Sequence, residues 1–147
     1  MDDYTGAYIA RKSDVSVLPK HHAIAIFHLG GIAVECRLKS LLLLYHQINN
    51  WGDKSCRAKD SMRNHPITNP SHGLSTALRQ MSDFNKRAKL DKQFLMHLQN
   101  VIYPLGSTAV DYISLRYIPQ TTQPQEDWQK SFDYVCGWLE KNERTIL

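Results

Sequence analysis

Gly30-Gly31-Ile32-Ala33-Val34-Glu35-Cys36-Arg37-Leu38-Lys39-Ser40-Leu41-Leu42-Leu43-Leu44 is the longest apolar run of the 147-residue chain, and its few charges fall on one side. From Ala23 the apolar positions Ala23, Phe27, Gly30, Val34, Leu38, Leu41 and Tyr45 step by threes and fours. That spacing stacks side chains into one stripe of a 3.6-residue helix. Ile24, Gly31, Leu42 and Leu44 widen the stripe, so little of this helix can face water. Glu35 and Lys39 stand four apart in the Glu-before-Lys order that favours a helix by about 0.3 kcal/mol. The stretch predicts the central helix of a helical bundle.

A chain of this length forms one domain and buries a core without staples. Hydrophobic residues make up 42%, as in an ordinary soluble protein. Cys36, Cys56 and Cys136 are an odd number with no CxxC pair, which predicts neither a disulfide framework nor a zinc knuckle and points to a reducing, cytoplasmic setting. The start Met1-Asp2-Asp3-Tyr4 is acidic where a secretory signal is basic, and His28 and Arg37 interrupt the apolar run before it could span a bilayer. No membrane partner is expected. The net charge of +4 is uneven: nine Lys or Arg face four Asp between Trp51 and Lys92, whereas three basic residues face five acidic ones from Pro124 onward. Such a surplus suits RNA or another acidic partner, and it equally suits a solvated surface.

Working outward, residues 3–18 predict a first helix ending before Pro19, and Pro19 suits the first position of the central helix. Asn49-Asn50-Trp51-Gly52-Asp53 stops that helix near Ile48. Residues 53–70, polar, basic and punctuated by Pro66 and Pro70, predict a long connection with one helical turn around Cys56–Met62. Ser71 is placed as the cap of a helix carrying Leu74, Leu78 and Met81. After the basic stretch Asn85–Lys89, Asp91 caps a helix carrying Phe94, Leu95, Leu98, Val101 and Ile102, broken by Pro104-Leu105-Gly106. Ser107 restarts a helix up to Arg116, Gln120–Gln123 is a loop, and Pro124 opens a last helix with the stripe Trp128, Phe132, Val135, Cys136 and Leu139. Nothing alternates like a strand, and the fold class predicted is all-α, an up-and-down bundle of four to five helices over residues 1–147.

The phrase from Leu29 to Leu42 resembles the "aGyAvEcaLKaLl" helix of HEPN domains, small helical bundles that occur alone or beside minimal nucleotidyltransferases. His72-Gly73-Leu74 and Leu115-Arg116-Tyr117, with Pro119 after it, follow in the family's order, and the likeness covers residues 3–142. The resemblance implies a homodimer. It also implies, for many members, metal-independent RNase activity through Arg, four to six residues, then His, the pair that activates the ribose 2′-hydroxyl and steadies the phosphate. No Arg of this chain has His at that spacing: Arg57 misses His65 by one residue, and the windows after Arg63 and Arg116 hold no His. The resemblance therefore implies a non-catalytic binding or interaction module for RNA or nucleotides or for a nucleotidyltransferase partner. The alternative is a divergent RNase toxin of a toxin–antitoxin pair in which Arg57 or Arg63 works with His65.

Arg63, His65, His72 and Arg116 are the candidate binding residues, because they flank the basic connection or carry the family phrases. Glu35 must be paired where it sits, since an isolated carboxylate in an apolar helix is costly to bury, and Lys39 or Arg116 is the expected partner. His28 and His46 are read as surface or hydrogen-bonded residues on the polar side of the long helix. His97 has no Asp or Glu three or four residues away, no HExxH-like spacing occurs, and neither metal nor cofactor is expected. Cys36 is read as a small buried hydrophobe, and Trp128 and Trp138 as core.

Overall fold

The computed structural model describes residues 2–121 and 123–147. Six α-helices and one 3-10 turn make up its regular structure: α1 (Tyr4–Val17), α2 (Ala23–His46), α3 (Leu74–Arg79), α4 (Ser82–Leu90), α5 (Lys92–Ile102), the 3-10 turn Ser114–Tyr117 and α6 (Gln125–Ile146). The chain is all-α, with no strand among the described residues beyond isolated bridges in the long connection. No described helix is long and apolar enough to cross a membrane.

α2 is the axis of the bundle, as its breadth of apolar residues predicts. It is buried nearly all round, from Ile26 and Phe27 through Val34, Leu38 and Leu41 to Tyr45. α1 lies along it, α5 and α6 pair with each other, and α6, α5, α3 and the 3-10 turn all touch it. Local chemistry sets the ends. Asp3 caps α1 by accepting the Gly6 N–H at 2.8 Å, and Asp91 caps α5 by accepting the Phe94 N–H at 2.9 Å. α2 begins at Ala23 rather than Pro19 because the Pro19 carbonyl is taken by the His22 N–H in a turn. At its other end the left-handed residue is Gln47 (φ 55), not Asn or Gly, and the Gln47 and Ile48 amides return to the Leu44 and Leu43 carbonyls.

Two expected helical pieces are absent and one unexpected helix is present. Residues 56–62 form turns instead of a helical turn, and Ser71 (φ 53) lies in a turn, so that α3 starts after Gly73. The stretch after Ser107 makes turns until the 3-10 segment, because the Asp111 carboxylate draws in the Ile113 and Ser114 amides and tightens the chain there. The basic stretch Asn85–Lys89 is helical, inside α4: Phe84 and Ala88, four apart, face the core and send the charges outward. The loop expected at 120–123 is irregular at its described positions, and Thr122 lies outside them.

The glycine pair at the centre of α2 is explained by what lies on it. A Cβ on Gly30 would stand 2.3 Å from the Trp128 ring of α6, and one on Gly31 would stand 2.3 Å from the Tyr112 ring. Two aromatic rings thus rest directly on the helix backbone. Gly31→Ala is expected to lower the unfolding free energy by about 1 to 3 kcal/mol through overpacking, read from urea denaturation. An unchanged midpoint would show that Tyr112 can swing away freely.

Candidate functional site

Glu35 lies midway along α2 and is only 7% exposed. Its Oε1 accepts the Tyr112 hydroxyl at 2.6 Å and the His72 ring nitrogen Nδ1 at 2.8 Å, and its Oε2 accepts Lys39 Nζ at 3.2 Å. Three donors from three parts of the chain satisfy one buried carboxylate, the condition under which burial of that charge is tolerated. The Tyr112 hydroxyl also lies 3.0 Å from the His72 carbonyl, but its single hydrogen belongs to the shorter, charge-assisted bond. Burial, and then the hydrogen bond to the Glu35 carboxylate and its charge, push the Tyr112 hydroxyl far above its ordinary range, so it stays a donor. Lys39 in turn sits 5.7 Å from the Tyr4 ring centre, within cation–π range.

His72 is the outward part of this cluster. Its side chain is 57% exposed, while Glu35 holds Nδ1 and fixes the ring's orientation. Arg116, the other expected partner of Glu35, does not reach it. Leu115 occupies the inward side of the 3-10 turn at 0% exposure, which turns Arg116 to solvent with its guanidinium over the Tyr117 ring. Tyr112 takes the place assigned to Arg116. The sequence carried one sign of this partner, the Gly30-Gly31 pair, which permits a close approach without naming the residue that makes it.

The connection after α2 is held by a second buried network. Asp60, 7% exposed, accepts the Tyr45 and Ser82 hydroxyls and the Met62 amide. Burial alone would raise the Asp60 carboxyl, yet these hydroxyls, Ser82 first, hold it below its ordinary value. Burial and the Asp60 contact push the Tyr45 phenol up to about 12. Arg57 stacks 4.0 Å from the Tyr45 ring centre and donates to Asp83 at 3.3 Å and to the Ile146 carbonyl at 3.1 Å.

His46, read from sequence as lying on the polar side of α2, is fully buried. Its Nε2 lies 2.5 Å from the Gln80 carbonyl and its Nδ1 2.6 Å from the Ser55 hydroxyl. A carbonyl only accepts, so Nε2 carries the hydrogen of the neutral ring and Nδ1 accepts from Ser55. The long connection is thereby tied to the end of α2. It needs a polar group on α2 to hold it, and His46 is that group.

Arg63 donates to the Ala58 carbonyl at 3.3 Å and is exposed, as is His65, whose carbonyl accepts the Ser55 amide at 3.0 Å. Among the described residues no hydrogen bond joins His65 to Arg57 or Arg63, and no group of three His, Cys, Asp or Glu could hold a metal ion. The structure thus brings together Glu35, Lys39 and His72, adds Tyr112, and leaves Arg63, His65 and Arg116 on the surface. No family model, no curated protein and no solved structure matches the chain.

Two measurements test this geometry. Glu35→Gln keeps the shape but strands the Lys39 charge in a buried site, and the unfolding free energy should fall by about 3 to 5 kcal/mol, whereas His72→Ala, at the exposed edge, should cost under about 1 kcal/mol. Equal losses would place the burden of the cluster on His72 instead. The second concerns pH. Burial holds His46 below its ordinary value of 6.5, so the unfolded chain binds the proton more readily. Its stabilising contribution is complete above the unfolded value and declines as pH falls below it. Urea titrations between neutral and mildly acidic pH should show that decline, and His46→Gln should flatten it.

Proposed function

We propose that the chain is a non-catalytic HEPN-type module, a homodimer that binds RNA or nucleotides or docks with a minimal nucleotidyltransferase, and that it works without a metal or cofactor. The observation that carries this reading is the meeting of Glu35 and Lys39 with His72, 37 positions from Glu35. The Glu and Lys of one family-like phrase and the His of the next share one hydrogen-bonded cluster. A chance likeness of short phrases has no reason to place their polar residues in contact.

Support for the non-catalytic form comes from Arg57. A nuclease pair needs a cation free to steady the phosphate and a base near the 2′-hydroxyl. Arg57 is engaged with Asp83, with the Ile146 carbonyl and with the Tyr45 ring, so its charge is committed to holding the connection. Arg63 and His65 remain exposed on the same connection, suited to contact a phosphate backbone. His72 supplies an oriented ring at the surface, and Arg116 a free cation over Tyr117.

Incubation with total RNA should leave the RNA intact, with or without EDTA, while affinity falls steeply as salt rises. Arg63→Ala should weaken binding and reduce the salt slope by about one. Cleavage that disappears in both His65→Ala and Arg63→Ala proteins would replace this reading with the divergent RNase toxin. Light scattering at micromolar concentration should give the mass of two chains, and a mass of one chain would remove the dimer.

A further inference from the structure

A cavity of about 460 Å³ lies between the start of α2 and the segment 115–121. His21, His22 and His28 line it from one side and Arg116 from the other. Among the described lining residues there is no Asp or Glu. Asp111, the carboxylate of the adjoining segment, lies outside the cavity and accepts the Ile113 and Ser114 amides. Arg116 has no ion-pair partner among the described residues. The fixed charge on these walls is therefore a cation without a counter-ion, and three imidazoles share the walls with it.

The hydrogen positions narrow what such walls can hold. Three imidazoles raise the question of a metal, but no group of three His, Cys, Asp or Glu among the described residues could hold one. His28 instead has one nitrogen committed and one open. Its Nδ1 lies 2.7 Å from the Tyr112 carbonyl. A carbonyl only accepts, so Nδ1 carries the hydrogen of the neutral ring, and Nε2 is left as an acceptor, the one ring nitrogen that can meet a ligand. An acceptor that shares a cavity with an unpaired guanidinium calls for an anion that also carries a hydrogen. A phosphate with a P–OH group meets both demands, because the guanidinium matches two of its oxygens and the hydrogen fits Nε2. Sulfate and a phosphodiester carry no such hydrogen. A phosphomonoester regains its own near neutral pH, since its second ionisation lies at about 6.

We propose that this cavity binds a phosphate that carries a hydrogen, either inorganic phosphate or the terminal phosphomonoester of a nucleotide or an RNA end. Arg116 donates to its oxygens, and His28 Nε2 shares the P–OH hydrogen. His21 and His22, both exposed and with ring centres 4.2 Å apart, add donors for the remaining oxygens. The Tyr112 carbonyl orients the His28 ring while the Tyr112 hydroxyl donates to Glu35, so one residue joins the cavity to the Glu35 cluster. A nucleotide or RNA end as the natural occupant rests on the binding role proposed above, whereas the preference of the cavity for phosphate does not.

Calorimetric titration of the full-length chain with inorganic phosphate and with sulfate, at equal ionic strength and neutral pH, tests the proposal. The two anions share shape and are close in charge, and phosphate should bind at least about tenfold more tightly. Arg116→Ala, an exposed position, and His28→Asn should each weaken phosphate by about tenfold or more. The Asn side chain keeps an N–H for the Tyr112 carbonyl and removes Nε2, so an unchanged melting temperature with lost binding separates the ligand contact from a structural role. Adenosine 5′-monophosphate and a 5′-phosphorylated RNA oligomer should displace phosphate. Displacement by both makes a free nucleotide sufficient, and displacement by the oligomer alone assigns the site to RNA ends. No phosphate binding at millimolar concentration, equal binding of sulfate, or full binding by both variants would overturn the proposal. Tight binding of a 5′-hydroxyl oligomer by a chain that ignores phosphate would overturn it too and leave the RNA reading standing, whereas phosphate binding by a chain that ignores RNA would keep the cavity and remove that reading.

Discussion

A carboxylate buried in the middle of an apolar helix is the constraint from which the arrangement around α2 follows. Glu35 can remain charged there only if donors surround it, and no single neighbouring element supplies enough of them. Lys39 comes from the next turn of the same helix, His72 from the loop before α3, and Tyr112 from the stretch between α5 and the 3-10 turn. Satisfying one side chain thus fixes two irregular segments against the central helix. The glycine at position 31 belongs to the same device, because a Cβ there would collide with the Tyr112 ring whose hydroxyl reaches Glu35.

The same logic operates at the other end of α2. Tyr45 and His46 are adjacent, and each presents a polar group to the connection that follows. Asp60 and Ser55 meet them, and Ser82 and Gln80 complete the two sets from the α3–α4 corner. A segment without helix or strand is thereby ordered from inside. Backbone bonds between Gly52 and Ile67 and between Ser55 and His65 close it into a compact loop, with Ile67 fully buried beneath. Arg63 and His65 are exposed beside that closure, so the residues best placed to meet a partner stand on a loop that is held in shape.

Helices with a sustained apolar period were legible in the sequence. The stripes of α2, α5 and α6 lie where their spacing puts them, except that Leu44 and Leu95, counted with the first two, are exposed, and Asp91 caps α5 as its position before an apolar run suggests. α4 was hidden by its charges, since only Phe84 and Ala88 of its residues face inward and two positions do not make a readable stripe. The candidate site was half legible. Glu35 announced itself as a charge in an apolar context, Lys39 followed from helical spacing, and His72 from its phrase. Tyr112 and His46 did not, because a long-range hydrogen bond leaves no mark of period in either partner. Arg116 was offered as a partner beside Lys39 on charge alone, whereas the fold supplies a neutral donor, Tyr112, and spares a second buried cation.

A double-mutant cycle between Glu35→Gln and Tyr112→Phe, followed by urea denaturation, tests the central claim that this carboxylate gathers the irregular segments onto α2. The two losses should be strongly non-additive, with a coupling of about 1 to 3 kcal/mol, as expected for groups sharing a buried charge-assisted bond. Additivity to within about 0.3 kcal/mol, the behaviour of independent sites, would mean that Tyr112 and Glu35 stabilise the fold separately and would contradict the account.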